Sequence, residues 1–142
     1  MAGSLIPKFA KKEITDLWVS ETWKLMLLNN THDSNAGTQQ YVADVVAKEV
    51  VDGAIVPVYV AGGIPVVGKA SVADSNNYYL DSMDVIIGPG TTLNYRYGIL
   101  YKDTGNQATS PIRAQIDFLT DQIVVNGTST IRWDTLGIIY VN

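Results

Sequence analysis

A chain of 142 residues that is 46% hydrophobic has enough apolar surface to build a core without covalent staples, burying roughly 70% of what its unfolded form exposes. A net charge of −4 disfavours a nucleic-acid groove, and the lack of cysteine removes disulfides, thiolate metal sites and cysteine nucleophiles together. No apolar run approaches the ~20 residues of a membrane-spanning helix, and the N-terminus lacks the apolar core of a signal peptide, so a soluble protein without an export signal is expected. The charged fraction of 17%, low against about 25% in ordinary domains, suits a surface packed against neighbours.

Residues 1–12 are small, apolar and basic, and such termini stay without fixed structure until a partner holds them. From Pro7, a favourable first helical residue, Phe9, Ile14, Leu17 and Trp18 share one face of a short helix. The run Trp23-Lys24-Leu25-Met26-Leu27-Leu28 is apolar at nearly every position and reads as a buried strand. Residues 31–40, with Asp33, Ser34, Asn35 and Gly37, form a loop. Tyr41/Val42, Val45/Val46 and Glu49/Val50 recur at helical spacing and predict a short helix from Tyr41 to about Ala47, weakened by its β-branched residues.

Beyond Asp52-Gly53 the texture is β throughout. Residues 55–60 read as a strand that Pro57 confines to an edge or bulge. Gly62-Gly63 is a turn, 64–72 another strand, and Asp74-Ser75-Asn76-Asn77 a further turn before the strands 78–80 and 85–87. Gly88-Pro89-Gly90 is expected to break the chain. Tyr95, Tyr97, Ile99 and Tyr101 then alternate with Arg96, Gly98, Leu100 and Lys102, Asp103-Thr104-Gly105-Asn106 supplies turn chemistry, and Ile112, Ala114, Ile116 and Phe118 open a second alternation. This hairpin needs further strands over its apolar face. Asn126-Gly127 predicts a second hairpin, between 123–125 and 128–133, and 138–141 closes the chain. Strands at intervals of roughly 8–12 residues without intervening helices argue for a mainly β chain, an antiparallel β-sandwich of jelly-roll type. Residues 1–22 form its N-terminal arm and short helix, and 23–142 its body. Tyr101 and Trp133 are expected in the core.

Several groupings imitate chemistry. His32, Asp33 and Ser34 contain the residue types of a catalytic triad, but sequence neighbours diverge in direction, so His32 reads as a solvated loop residue. Asp74, Asp81 and Asp84 lack the spacing of a calcium loop and read as turn caps. Glu49 with a distant aspartate would need the separation of a glycosidase pair, which spacing does not supply. Gly62-Gly63 and Gly88-Pro89-Gly90 lack the Lys-Ser/Thr element of a phosphate loop. Tyr78, Tyr79, Tyr95, Tyr97, Tyr101 and Trp133 read as cross-strand packing and interface, with carbohydrate stacking a lesser alternative.

From Glu49 onward the sequence resembles a family of small virion proteins of tailed bacteriophages. The matching anchors are Glu49, Gly53, Tyr59, Gly62-Gly63, Tyr79-Leu80-Asp81 and Asp84-Val85, then Tyr97 and Leu100-Tyr101-Lys102-Asp103-Thr104-Gly105. They continue through Pro111-Ile112, Ala114, Ile116-Asp117-Phe118, Asn126-Gly127, Ile131, Trp133-Asp134 and Gly137-Ile138. Each motif is common; their joint order carries the resemblance. It implies a non-enzymatic structural protein without cofactor or metal, a capsid decoration or cement subunit. Such a subunit binds the major capsid protein as a homo-oligomer (dimer or trimer) on the outer capsid surface, after assembly in the host cytoplasm. It touches neither nucleic acid nor membrane. The alternative is a neck, tail or glycan-contacting virion protein. Ile6, Lys8, Phe9, Lys11 and Lys12 are the expected arm contacts with the shell.

Overall fold

The computed structural model describes residues 6–34 and 37–141. Residues 1–5 of the expected arm and Asn35 of the expected loop lie outside the described residues. The chain is mainly β, with two antiparallel sheets and a helix at its N-terminus, consistent with the β-sandwich class. Its contacts divide it into two units, residues 22–66 with 85–131 and residues 1–21 with 67–84 and 132–142.

The larger unit holds a four-stranded sheet of β1 (Trp23–Leu28), β2 (Ile64–Pro65), β5 (Val85–Lys102) and β6 (Ile112–Ile131), ordered β2-β1-β5-β6. The run Trp23-Lys24-Leu25-Met26-Leu27-Leu28 forms the expected buried strand. Every residue but Lys24 is buried, because β1 lies between β2 and β5 and both of its faces are covered. Leu25 pairs with Leu100 and Met26 with Ile99, all fully buried, each contributing roughly 1.5–3 kcal/mol of transfer free energy. On one face Met26, Leu28, Ile99 and Tyr101 pack with Val42 and Val45. Val42 opens the first of two single 3-10 turns (Val42–Asp44 and Val46–Lys48) and Val45 joins them, where a short helix was expected. Asp44 caps the first turn by accepting the Gln40 and Tyr41 N–H groups, each at 2.9 Å.

The expected hairpin is present, with β5 and β6 antiparallel around the 103–111 loop. Both strands are longer than predicted. Gly88-Pro89-Gly90 does not break β5: Gly88 and Gly90 take positive φ, the pairing shifts register, and the strand continues. A Cβ at Gly88 would lie 2.6 Å from the Gly127 carbonyl oxygen, so only glycine permits that approach. Likewise Asn126-Gly127 makes no turn; Asn126 (φ 47°) forms an irregularity within β6, its N–H donating to Thr92 Oγ1 at 3.0 Å. A left-handed Asn before Gly serves a bulge as readily as a turn, and the partner strand decides.

The smaller unit has the three-stranded sheet β3 (Ala70–Asp74), β4 (Asn77–Asp81) and β7 (Ile139–Val141), ordered β3-β4-β7. The predicted strand 64–72 is therefore two strands of different sheets, parted at Gly68 (φ 68°). Helix α1 (Lys8–Ser20) packs on β3 and β4, and of the face expected for it Ile14 and Trp18 are half-buried while the other two residues are not. Lys11 and Thr15 are buried, Thr15 Oγ1 meeting Ser71 Oγ at 2.5 Å, while Phe9 and Leu17 stand exposed.

Tyr101 is buried as expected, whereas Trp133 is only half-buried and lies between strands rather than in one. Its indole N–H donates to the Met83 carbonyl at 3.0 Å, so the ring covers a loop. Leu100→Ala is therefore expected to cost about 2–5 kcal/mol in urea unfolding followed by circular dichroism. Trp133→Ala should cost less than about 2 kcal/mol, against about 3–5 for a buried ring.

Candidate functional site

Residues 55–60, predicted as a strand, form none; they belong to a loop whose backbone donors bond to one carboxylate. Pro57 has no N–H to give a ladder. The Val58 and Tyr59 N–H groups donate to Asp52 Oδ2 at 2.9 and 3.0 Å, and Ala54 N–H to Oδ1 at 3.0 Å. Asp52 also ties the loop to β5, accepting Thr91 Oγ1–H at 2.7 Å and Thr92 N–H at 2.9 Å. Burial would raise the Asp52 pKa, but these hydrogen bonds, Thr91 and Thr92 foremost, outweigh it and hold the carboxyl well below the usual carboxylate range.

Glu49 anchors the other end of the loop. Its Oε1 accepts the Tyr59 hydroxyl and the Gly62 N–H, both at 2.8 Å, and the Tyr59 oxygen accepts Leu27 N–H of β1 at 2.9 Å. Burial pushes the Tyr59 phenol far up, with the Glu49 charge adding to it. Tyr101 donates to the Gly62 carbonyl, and burial, with the charges of Asp103 and Glu49, pushes its phenol up to about 12.

Between these anchors the loop turns apolar side chains outward: Ile55 is fully exposed, and Val51, Val56 and Val60 are largely so. Beside it lies a groove of roughly 580 Å³ lined by Ile55, Val56, Val58, Pro89, Thr92 and Asn126. Apolar residues held outward on a fixed backbone are the raw material of a protein contact, because little entropy remains to be lost on binding.

The residues singled out from sequence are scattered. His32 is a correction: it is 5% exposed, its Nε2 meets Gln115 Oε1 at 3.1 Å, and its ring stands edge-on to Tyr97. Burial between β5 and β6 residues turns a loop histidine into a packing element. Asp74 accepts the Tyr140 hydroxyl at 3.2 Å, Asp81 the Ser82 N–H at 2.9 Å, and Asp84 Oδ1 lies 3.4 Å from the Trp133 N–H, each a structural bond. Among the described residues no three metal-ligating side chains of histidine, aspartate or glutamate converge. Of the arm residues, Lys8 stands over the Tyr78 ring at 5.6 Å, Lys11 bonds to Asn77 Oδ1 and to the Asn76 carbonyl, and Lys12 pairs with Asp16 at 2.6 Å. Phe9 is 70% exposed, and Ile6 is also exposed. Asp52 was missed from sequence as a site residue, because Asp-Gly reads as a turn; an aspartate heading a long uncharged run with proline was its available signal.

Asp52→Asn replaces one acceptor oxygen with an amide nitrogen that must face at least two donors, and should cost about 2–3 kcal/mol. The pH dependence has a definite sign. Asp52 keeps its charge in the folded chain at pH values where the unfolded carboxyl, with a pKa of about 3.9, is already protonated. Its contribution is thus complete above pH ~4 and is lost as pH falls toward its folded pKa. Acid unfolding of Asp52→Asn should be correspondingly shallower, read by circular dichroism between about pH 2 and 6.

Comparison with protein-family models, curated proteins and solved structures finds no match to the chain.

Proposed function

We propose that the chain is a structural interaction protein of a tailed-bacteriophage virion, an accessory subunit that binds and cements the major capsid protein lattice. The observation that carries the reading is the division of labour in the 49–62 segment. Its carboxylates are occupied by hydrogen bonds that fix the backbone, while Ile55, Val56 and Val60 face outward. A catalytic site needs polar groups poised toward a substrate. Here every deeply buried polar side-chain atom among the described residues already has a hydrogen-bond partner.

The N-terminal segment supplies the second contact with the shell. Ile6 and Phe9 are its apolar anchors, both exposed. Lys8 and Lys12 contribute charge near the surface: the Lys12–Asp16 pair is exposed, and such pairs exchange partners at little cost. Lys11 acts from beneath, holding the helix to the Asn76–Asn77 turn. Copies arrayed on a lattice turn two modest contacts into tight attachment through avidity.

Reconstitution tests this. Purified capsids lacking the protein should take up the full chain to a fixed occupancy spread over the head. Deleting residues 1–7 or replacing Ile55 by Ser should each weaken uptake by about tenfold, corresponding to about 1.4 kcal/mol. Failure of the full chain to bind capsids at any concentration would remove the reading, and a single ring at one vertex would replace it with a neck role.

A further inference from the structure

Strand β6 is the outer strand of its sheet, with β5 on one side and, among the described residues, no strand on the other. Every second residue of such a strand turns its N–H and C=O away from its only neighbour, which templates another strand unless something blocks it. The blocking devices are unevenly spread along β6. Arg113, Asp117 and Asp121 lie in its first half, whereas residues 122–131 contain no charge and no proline. The adjoining stretch of β5, residues 85–95, is also uncharged. Ile123 is 66% exposed and Val125 76% exposed, two residues apart and so on one face, with Val124 half-buried between them. Left-handed backbone at Leu119 (φ 69°) and Asn126 (φ 47°) brackets this segment.

We propose that residues 122–126 of β6 pair antiparallel with the same residues of a second copy, about a two-fold axis at Val124. A strand meeting its own copy antiparallel is self-complementary, which a closed dimer requires. Charge and shape select the register. Centred on Val124, it sets Ile123 of each copy against Val125 of the other and Gln122 against Asn126, two amides able to bond. Centred on Ile123, it would set Asp121 against Val125, and centred on Asp121 it would oppose two like charges. The left-handed backbone at Leu119, before the window, and at Asn126, its last residue, limits the pairing to this stretch. An uncharged apolar centre is also what distinguishes homodimer interfaces from ordinary surface. The pairing goes beyond the capsid reading and does not depend on it, since it forms in solution without a shell.

The full chain should sediment as a concentration-dependent dimer. The double variant Ile123→Lys/Val125→Lys should be monomeric, with the thermal midpoint that the wild type has at concentrations where it too is monomeric, since both side chains are exposed. The chain has no native cysteine, so Val124→Cys gives a single reporter. Facing its own copy at disulfide distance, it should cross-link under mild oxidation about tenfold faster than Thr128→Cys, which would face Thr120. A wild-type chain monomeric at every concentration overturns the proposal. So does a dimer that survives the two lysines, or equal cross-linking at the two cysteine positions.

Discussion

The larger unit depends on one carboxylate. Asp52 gathers five donors from three stretches of chain and so fastens the 54–59 loop to β5 beside Gly90 and Thr91. A buried charge without a counter-ion is costly, and what makes this one tolerable is that every donor is a fixed backbone N–H or a hydroxyl aimed at it. Glu49 repeats the device ten residues before Tyr59. Together they do what a sheet ladder does elsewhere, satisfying backbone donors in a segment that joins no sheet.

That substitution explains where sequence reasoning succeeded and where it failed. Elements set by local composition were legible: the apolar run of β1, the strand through Tyr95 to Tyr101, and the loop after Asp103 all appear. The two-faced alternation of that strand does not, because the register shifts between Tyr95 and Tyr97 and Leu100 is as buried as Ile99. Elements decided by a distant partner were not legible. Residues 55–60 have strand composition, but their donors go to Asp52. Gly88-Pro89-Gly90 and Asn126-Gly127 carry turn chemistry, and each instead bends a strand whose partner is bent at the matching place. His32 was read as solvated because its neighbours are polar; Tyr97 and Gln115, far along the chain, bury it. The only local signal of the anchor Asp52 is the long uncharged run with proline that it heads, since its five donors are recruited by tertiary structure.

The N-terminal helix shows the same contest on a smaller scale. Its apolar residues suggested a face led by Phe9 and Leu17, yet the buried line runs through Lys11 and Thr15. A lysine can lie beneath a helix when its stem covers apolar surface and its ammonium reaches acceptors, here on the Asn76–Asn77 turn. The cost is that Phe9 and Leu17 meet water.

The order of strands in the larger sheet bears on synthesis. The apolar strand of residues 23–28 leaves the ribosome well before one of its two neighbours, the segment 97–102. Its other neighbour offers only Ile64 and Pro65. During translation β1 therefore waits, half-paired, while most of the chain is still being made, and closing so long a loop is slow compared with forming local contacts. The smaller unit meets the same delay, because β7, its third strand, is made long after β4, the strand it pairs with. In a chain of this topology the apolar run Trp23-Lys24-Leu25-Met26-Leu27-Leu28 stays open to wrong partners until β5 has been made.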